Sequence, residues 1–447
     1  MKPYPKYKDS GVEWIGQIPE NWNFMILKRV TSAHKQGYYT TEDYIDEGVK
    51  LIRISDLDEN GNIYYENMPY VQITENDENV YQVQINDFLF PRTGSVGLFG
   101  LVRKNVRSVF ASYLINFRFN NKTYSDFLKY YFHSDSFKAG IYSSLHGGVN
   151  QNIHAGNIEC QPIALPSLPE QEQIAKYLDN KTAKIDSLIE KKKRLTELLN
   201  EERTAIINQS VTKGLDPKVP MKDSGIEWLG PIPSHWELKK IKYLIKPEKN
   251  ALKTGPFGSQ LKGSELDPDG QFRVYNQRNV LDDDFDKGED FINDVKFQSL
   301  KEFEILPYDI LVTTRGTIGY CSMFPEDKKR GLLHPCLIRI RLNSEIMHHY
   351  WLMTYFNYST CFKENIKLNS NATTIDVIYS YTLREVIIPT PPKNEQLSIL
   401  QDLAKETNRI DSIISKSEKE IDLLQEYRTA IISEVVTGKI DVREEKI

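Results

Sequence analysis

The chain has 447 residues, a length that suggests about three domains, or a two-domain repeat with something between. Hydrophobic residues make up 40% and charged residues 27%, which excludes wholesale disorder. A net charge of -5, from 57 basic and 62 acidic residues, excludes a uniformly basic nucleic-acid binder but not a local basic face. The four cysteines, Cys160, Cys321, Cys336 and Cys361, form no C-x-x-C pair, so a reducing compartment is expected and a zinc knuckle or disulfide framework is not. The N-terminus reads MKPYPKYKDSG without an apolar signal core, and no stretch approaches about 18 apolar residues. A cytoplasmic protein with no membrane partner is expected.

In chain order, the first feature is KDSGVEWIGQIPENW, Lys8 to Trp22. A variable region follows. Its residues 42 to 80 hold 11 acidic and 2 basic side chains, whereas residues 85 to 165 hold 8 basic side chains (Arg92, Arg103, Lys104, Arg107, Arg118, Lys122, Lys129, Lys138) against 4 acidic. Ile115-Asn116-Phe117-Arg118-Phe119 alternates as a strand, and HGGVNQNIH, His146 to His154, is a polar glycine-rich loop.

PSLPEQEQI from Pro166 then opens a long helix from Glu170 to about Thr212, with Ser167 and Glu170 at capping-box spacing and Pro169 in the first turn. Ile174, Leu178, Ile185, Leu188, Leu195, Leu199 and Ile206 recur at threes and fours, and Gly214 and Pro217 stop the run. Lys191-Lys192-Lys193-Arg194 reads as a solvated face.

The plan then repeats. KDSGIEWLGPIPSHW, Lys222 to Trp236, matches the opening signature at an offset of 214. Residues 239 to 262 hold 7 lysines and one acid, Glu248, and TGPFGSQLKGS spans Thr254 to Ser264. DILVTTRGTIG from Asp309 faintly matches DFLFPRTGSVG from Asp87. Residues 336–342 alternate, with Ile338, Ile340 and Leu342 on one face and Arg339 and Arg341 on the other. LNSNATTID, Leu368 to Asp376, is another polar loop. PTPPKNEQL from Pro389 matches the first helix entry at an offset of 223, and a second long helix from about Asn394 carries Leu403, Ile410, Ile414, Ile421, Leu424, Ile431 and Val435 before Gly438. ERTAII at Glu202 recurs as YRTAII at Tyr427, offset 225. At 1.5 Å per residue each helix runs roughly 65 Å, longer than a globular domain needs, and spacing near 3.5 residues suggests an antiparallel coiled coil between the two.

The period is too long for a solenoid, so this is a domain duplication. Its frames match while its variable regions do not, as expected of two scaffolds presenting two different surfaces. Clustered Lys and Arg suit phosphates, and Asn, Gln and Arg suit base edges. The sequence has no phosphate-binding loop, dinucleotide fingerprint, nucleophile elbow or H-E-x-x-H helix. Pro268-Asp269 with Asp294-Val295-Lys296 loosely fits a metal-dependent nuclease, which is one alternative; a coiled-coil scaffold that recruits partners without DNA is another.

The repeated KDSG-EW-G-IP-W signature, the P-x-x-P-x-x-EQ helix entries, the RTAII helix ends and TGPFGSQLK together resemble the specificity (S) subunit of type I restriction-modification systems, over nearly the whole chain. The first half departs from the pattern, since Ser32 to Tyr44 lacks the TGPFGSQLK loop. The resemblance implies an α+β fold of two tandem pseudo-repeats, each a mixed α/β target recognition domain followed by a long helix, the helices pairing as an antiparallel coiled coil. The expected parts are recognition domain 1 over 1–165, spacer helix 1 over 166–214, recognition domain 2 over 215–388 and spacer helix 2 over 389–440. It further implies a non-catalytic chain that binds an asymmetric bipartite double-stranded DNA target, with the helices fixing the gap. Two methyltransferase (M) subunits and restriction (R) subunits would dock on it. Those partners, and not this chain, would hold S-adenosylmethionine, ATP and magnesium. Within that reading Arg103, Lys104, Arg107, Lys253 and Lys262 are phosphate candidates. Arg92, Asn150, Gln151, Gln260, Arg315 and Asn371 are base-edge candidates, and Ser259, Thr317 and Thr373 complete the DNA-binding set.

Overall fold

The computed structural model describes residues 2–93, 97–145, 152–257, 259–369 and 377–445, with only the backbone for 367–369. The chain forms two compact units, Met1–Lys193 with Glu418–Ile447, and Arg194–Ser417. The long helices run over Leu168–Lys213 (46 residues) and Lys393–Val436 (44 residues), within two residues of the starts expected from sequence. Each unit therefore holds one variable region and a segment of both helices.

In the first unit the main sheet comprises β1 (Thr31–Gln36), β2 (Phe88–Pro91), β3 (Gly100–Leu101) and β4 (Leu114–Phe119). Its order is β1-β4-β2-β3, antiparallel throughout, with Ile115 opposite both Gln36 and Phe90. Phe88, Phe90, Phe99, Phe117, Phe132 and Phe137 fill its buried face, and Phe90 meets Phe132 edge-on at 5.0 Å. A smaller sheet pairs Val49–Ile52 with Tyr70–Val71 antiparallel and with Ser108–Phe110 parallel.

The second unit repeats the plan with β5 (Leu252–Thr254), β6 (Ile310–Thr313), β7 (Cys321–Met323) and β8 (Leu337–Ile340), in the same antiparallel order β5-β8-β6-β7. Its second sheet gains one strand, Glu304–Ile305. Sequence alternation placed Arg339 and Arg341 on a common face, and they share one, but that face is buried. Asp309 sits under it, 3.2 Å from Arg341 Nε, and Arg339 is fully buried. The first unit holds a matching pair, because Asp87 accepts two hydrogen bonds of 2.8 Å from Arg118. Arg118 thus belongs to a structural ion pair and not to a basic patch.

The duplicated signature has a mechanical reason. Lys8–Trp22 forms a short hairpin, Tyr7–Asp9 against Gln17–Pro19, whose turns need the positive φ of Gly11 (75°) and Gly16 (65°). The buried Trp22 donates its indole N–H to Glu170 Oε1 at 3.0 Å, and Tyr4 donates its hydroxyl to the same oxygen at 2.8 Å. Glu170 therefore serves the signature tryptophan and not the capping box anticipated for it. In the second unit Trp236 donates to Glu395 Oε1 at 3.0 Å. Each signature also receives the end of the other long helix: Gly438 lies against Pro19 and Trp22, and Gly214 lies against Trp236 and Pro233.

The neighbouring glutamines complete the joint. Gln171 accepts from the Tyr124 backbone N–H at 2.7 Å, and Gln396 accepts from His348 at 2.8 Å; both are fully buried. The pair equivalent to Glu395-Gln396 is thus Glu170-Gln171, at the same offset of 225 as the RTAII repeat. The EQEQ run had hidden this, because the proline spacing points two residues further on, to Glu172, which is exposed.

Within each unit the long-helix segments run antiparallel and are tied by the repeated motifs. Arg428 of YRTAII meets Asp186 at 2.8 Å in the first unit, and Arg203 of ERTAII meets Asp411 at 3.2 Å in the second. The stripe is mostly buried, but Leu188 and Leu195 are exposed while Ile189 lies in the seam. Among the described residues the four cysteines are free thiols, and no helix is long and apolar enough to cross a membrane.

Candidate nucleic-acid interface

Antiparallel pairing puts the C-terminal ends of β5 and β6 and the N-terminal end of β8 at one end of the second sheet. Gly255 follows β5 and donates its N–H to Leu337 O at 2.9 Å. A Cβ there would lie 2.2 Å from His334 O, so only glycine lets the loop leave so close to the neighbouring turn. Beyond it the chain turns tightly. Gln260 N donates to Phe257 O at 2.8 Å, and Gln260 Oε1 accepts from Phe257 N at 3.0 Å. Ser259, Gln260 and Lys262 are exposed on this loop.

The turn after β6 is held from three sides. Thr314 N donates to Cys336 O at 3.1 Å, Ile378 N donates to Thr314 O at 3.1 Å, and Gln277 Nε2 donates to Arg315 O at 2.8 Å. Gly316 and Gly319 supply the positive φ of 68° and 76° that the turn needs. Arg315 and Thr317 are exposed on it, and the Arg315 guanidinium has no partner among the described residues. The Thr317 carbonyl accepts from the Thr313 hydroxyl. Burial holds the nearby His334 below its ordinary pKa, and the Arg315 charge adds to that effect. Ser259, Gln260, Lys262, Arg315 and Thr317 thus converge on one sheet end. Gln277, which supports them, carried no sequence signal of its own.

Lys253 does not join them. It lies within β5, pairs with Glu302 at 2.8 Å and covers the Phe303 ring, so its charge is already compensated. Asn371 and Thr373 lie outside the described residues.

The first unit builds the same end. Gly37 follows β1, donates to Leu114 O at 3.0 Å, and would place a Cβ 2.1 Å from Ala111 O. Gly37 is therefore the counterpart of Gly255, and the loop missing from Ser32 to Tyr44 by sequence is present in structure. Arg92 follows β2, donates its N–H to Tyr113 O at 2.8 Å and accepts from Ile153 N at 2.7 Å, as Thr314 does from Ile378. Its guanidinium has no partner among the described residues. Asn150 and Gln151 lie outside the described residues.

Arg103, Lys104 and Arg107 are not brought to this end. They follow β3, whose Leu101 lies opposite Phe88 at the start of β2. Arg103 pairs with Asp126 and Arg107 grips Glu78 through two bonds of 2.6 and 2.7 Å, while Lys104 is exposed. Charges summed along the chain thus overstate the free basic surface, because Arg103, Arg107, Arg118 and Lys253 each meet a local carboxylate.

The alternative metal site fares similarly. Lys296 pairs with Glu265 at 2.8 Å, Asp294 accepts from Gln298 at 3.1 Å, and Asp269 is exposed in a turn held by Asp267. Among the described residues no group of three or more His, Cys, Asp or Glu side chains could hold a metal ion.

The family model for the type I restriction modification DNA specificity domain matches residues 19–198 and again 233–423. The chain belongs to the type I restriction-modification specificity family. Among curated relatives of this specificity chain is a protein of Methanocaldococcus jannaschii provisionally named type I restriction enzyme MjaX specificity subunit, 25% identical over 439 residues and covering 96% of both chains. The type I restriction enzyme EcoKI specificity subunit of Escherichia coli K12 is 22% identical over 450 residues, covering 95% of this chain and 90% of the relative. Its fold is shared with the HsdS subunit of Thermoanaerobacter tengcongensis, at TM-score 0.60 and 15% identity over 95% of this chain and 98% of that one. A chain solved in work on complex assembly and conformational transition of the type I R-M system gives TM-score 0.67 at 18% identity, over 95% and 99%. The two matched segments coincide with the two structural repeats, so the specificity chain carries one DNA specificity domain in each half.

Proposed function

We propose that this specificity chain reads an asymmetric double-stranded DNA target split into two half-sites, one at the glycine-anchored sheet end of each unit. One observation carries the reading: the same end is built twice on equivalent strands, with Gly37 matching Gly255, yet its exposed side chains differ. Identical readers would give a palindrome; different readers give two unrelated half-sites. Arg315, Gln260, Ser259 and Thr317 face the bases of one half-site and Arg92 those of the other, with Asn150, Gln151, Asn371 and Thr373 as further candidates. Lys262 takes a phosphate and sets register.

In this reading the chain performs no chemistry itself. It works in the cytoplasm, with methyltransferase and restriction subunits as partners. Two methyltransferase subunits bring S-adenosylmethionine, and the restriction subunits bring ATP and magnesium. The exposed apolar side chains of the long helices, such as Leu188, Leu195, Leu397 and Leu423, give those partners a surface to cover. The paired helices fix the gap between half-sites. The test is methylation mapping in cells with and without the chain. A gapped motif that vanishes with the chain supports the reading, and an unchanged methylation pattern rejects it.

A further inference from the structure

Several aromatic side chains are exposed at the reading ends, Tyr113 among them, and two of these stand at equivalent places in the two units. Phe257 is 77% exposed and Tyr39 is 71% exposed, each two residues beyond the anchoring glycine, Gly255 or Gly37. The residue between points inward in both cases. Pro256 is buried, and Tyr38 is half-buried, bonded through its N–H to Phe110 O at 2.7 Å and packed on the Tyr81 ring at 5.5 Å. A close strand crossing, an inward anchor and an outward ring therefore recur in order on two unrelated loop sequences.

The rings are presented on fixed backbone. Phe257 is clamped through both its N–H and its carbonyl by Gln260, and the turn after Tyr39 is closed by Glu42 N donating to Thr40 Oγ1 at 3.1 Å. A solvent-facing aromatic ring forgoes the gain of burial, so a fold that builds one twice at equivalent places leaves it for an external apolar face. The neighbours of Phe257 narrow the choice of face. Gln260, Lys262 and Arg315 offer amide and cationic groups suited to a polyanion with flat rings, and not to an apolar protein groove.

Resting on the DNA-reading role above, we propose that Phe257 and Tyr39 are specificity-determining residues, each stacking its ring on a nucleobase of its own half-site. Stacking adds affinity only where the base step opens to receive the ring, so it discriminates the correct half-site from random duplex without a hydrogen bond to a base edge.

The test uses the assembled complex of this chain with its methyltransferase partners, on the duplex that complex methylates. Phe257→Ala weakens binding to that duplex by about tenfold or more and binding to random duplex by less than about twofold. Phe257→Trp keeps the affinity, and Phe257→Leu, apolar but unable to stack, does not. Scrambling the half-site of the second unit abolishes the Phe257→Ala effect, while Tyr39→Ala loses affinity only when the other half-site is intact. Because both rings are exposed, the melting temperatures of the variants match the parent, so a binding loss is not a folding loss. Equal binding by Phe257→Ala and parent, or by Phe257→Leu and parent, overturns the proposal. A parent complex that prefers no duplex over another overturns instead the reading role on which it rests.

Discussion

Replacing Asp309 tests how the second recognition sheet tolerates its buried charge. Asp309 is 3% exposed; its carboxylate accepts the Leu306 N–H at 2.8 Å and faces Arg341 at 3.2 Å and Arg339 at 3.8 Å. Burial raises the Asp309 carboxyl above its ordinary pKa and lowers the Arg339 guanidinium to about 10, so desolvation outweighs attraction in both partners. Removing the carboxylate alone strands the Arg339 guanidinium, 1% exposed and left with carbonyl oxygens such as Asn250 O, whereas Arg341 keeps Glu248 at 3.2 Å. That costs about 3–5 kcal/mol. For a unit of this size it lowers the melting temperature by roughly 2–4 °C per kcal/mol.

Asp87 is the internal control, because its partner Arg118 is 37% exposed and can swing into water. Asp87→Ala leaves only the Gln84 N–H and the Asn116 amide unsatisfied and costs about 1–3 kcal/mol. Adding Arg339→Met to Asp309→Ala removes the stranded charge and recovers more than half of the loss. Calorimetry on the full chain measures all three. A loss for Asp309→Ala no larger than for Asp87→Ala, or no recovery in the double variant, refutes the reasoning.

The other predictions concern acid stability, the signature joint and the interface. Burial lowers His133 to about 4, so the folded first unit keeps it neutral while the unfolded chain protonates near 6.5; stability falls between about pH 6.5 and 4, and His133→Phe, packed on Phe99, flattens that slope in a pH-dependent melt. Trp22→Phe costs about 1 kcal/mol more than Trp236→Phe in denaturant titrations, because Glu170 is buried whereas Glu395 is half-buried, each keeping one other partner, Tyr4 or His235. Arg315→Ala relaxes one base position by about 1–3 kcal/mol, seen as a degenerate letter in the methylation motif. Lys262→Ala leaves the motif intact and lowers the salt slope of binding by about 1.

The frame was legible from the sequence because it occurs twice. Trp22 and Trp236 sit in matching signatures, and matching signatures fold into matching joints. Helix bounds followed from apolar spacing and terminal glycines, and the seam was nearly right, with Ile189 standing where Leu188 was expected. The repeated Arg of RTAII had no visible partner in sequence, since Asp186 and Asp411 are distant in the chain and adjacent only across paired helices.

Charge was the poorest guide. Arg103, Arg107, Arg118 and Lys253 look alike in a count, yet each meets a carboxylate. Only strand order separates them from Arg92 and Arg315. The glycine loop of the first unit was missed for a related reason. Gly37 and Gly255 are equivalent through a backbone crossing that constrains one residue, so no longer motif survives around them to be matched.

In the proposed role each unit reads its own half of one DNA site. Exchanging residues 239–386 of this chain for the second variable region of another specificity subunit, then mapping DNA methylation in cells that supply the partner subunits, tests it most directly. The expected result is a gapped motif in which one half-site and the gap length persist and the other half-site is replaced. A motif replaced on both sides, or a single uninterrupted run of specified bases, would contradict it.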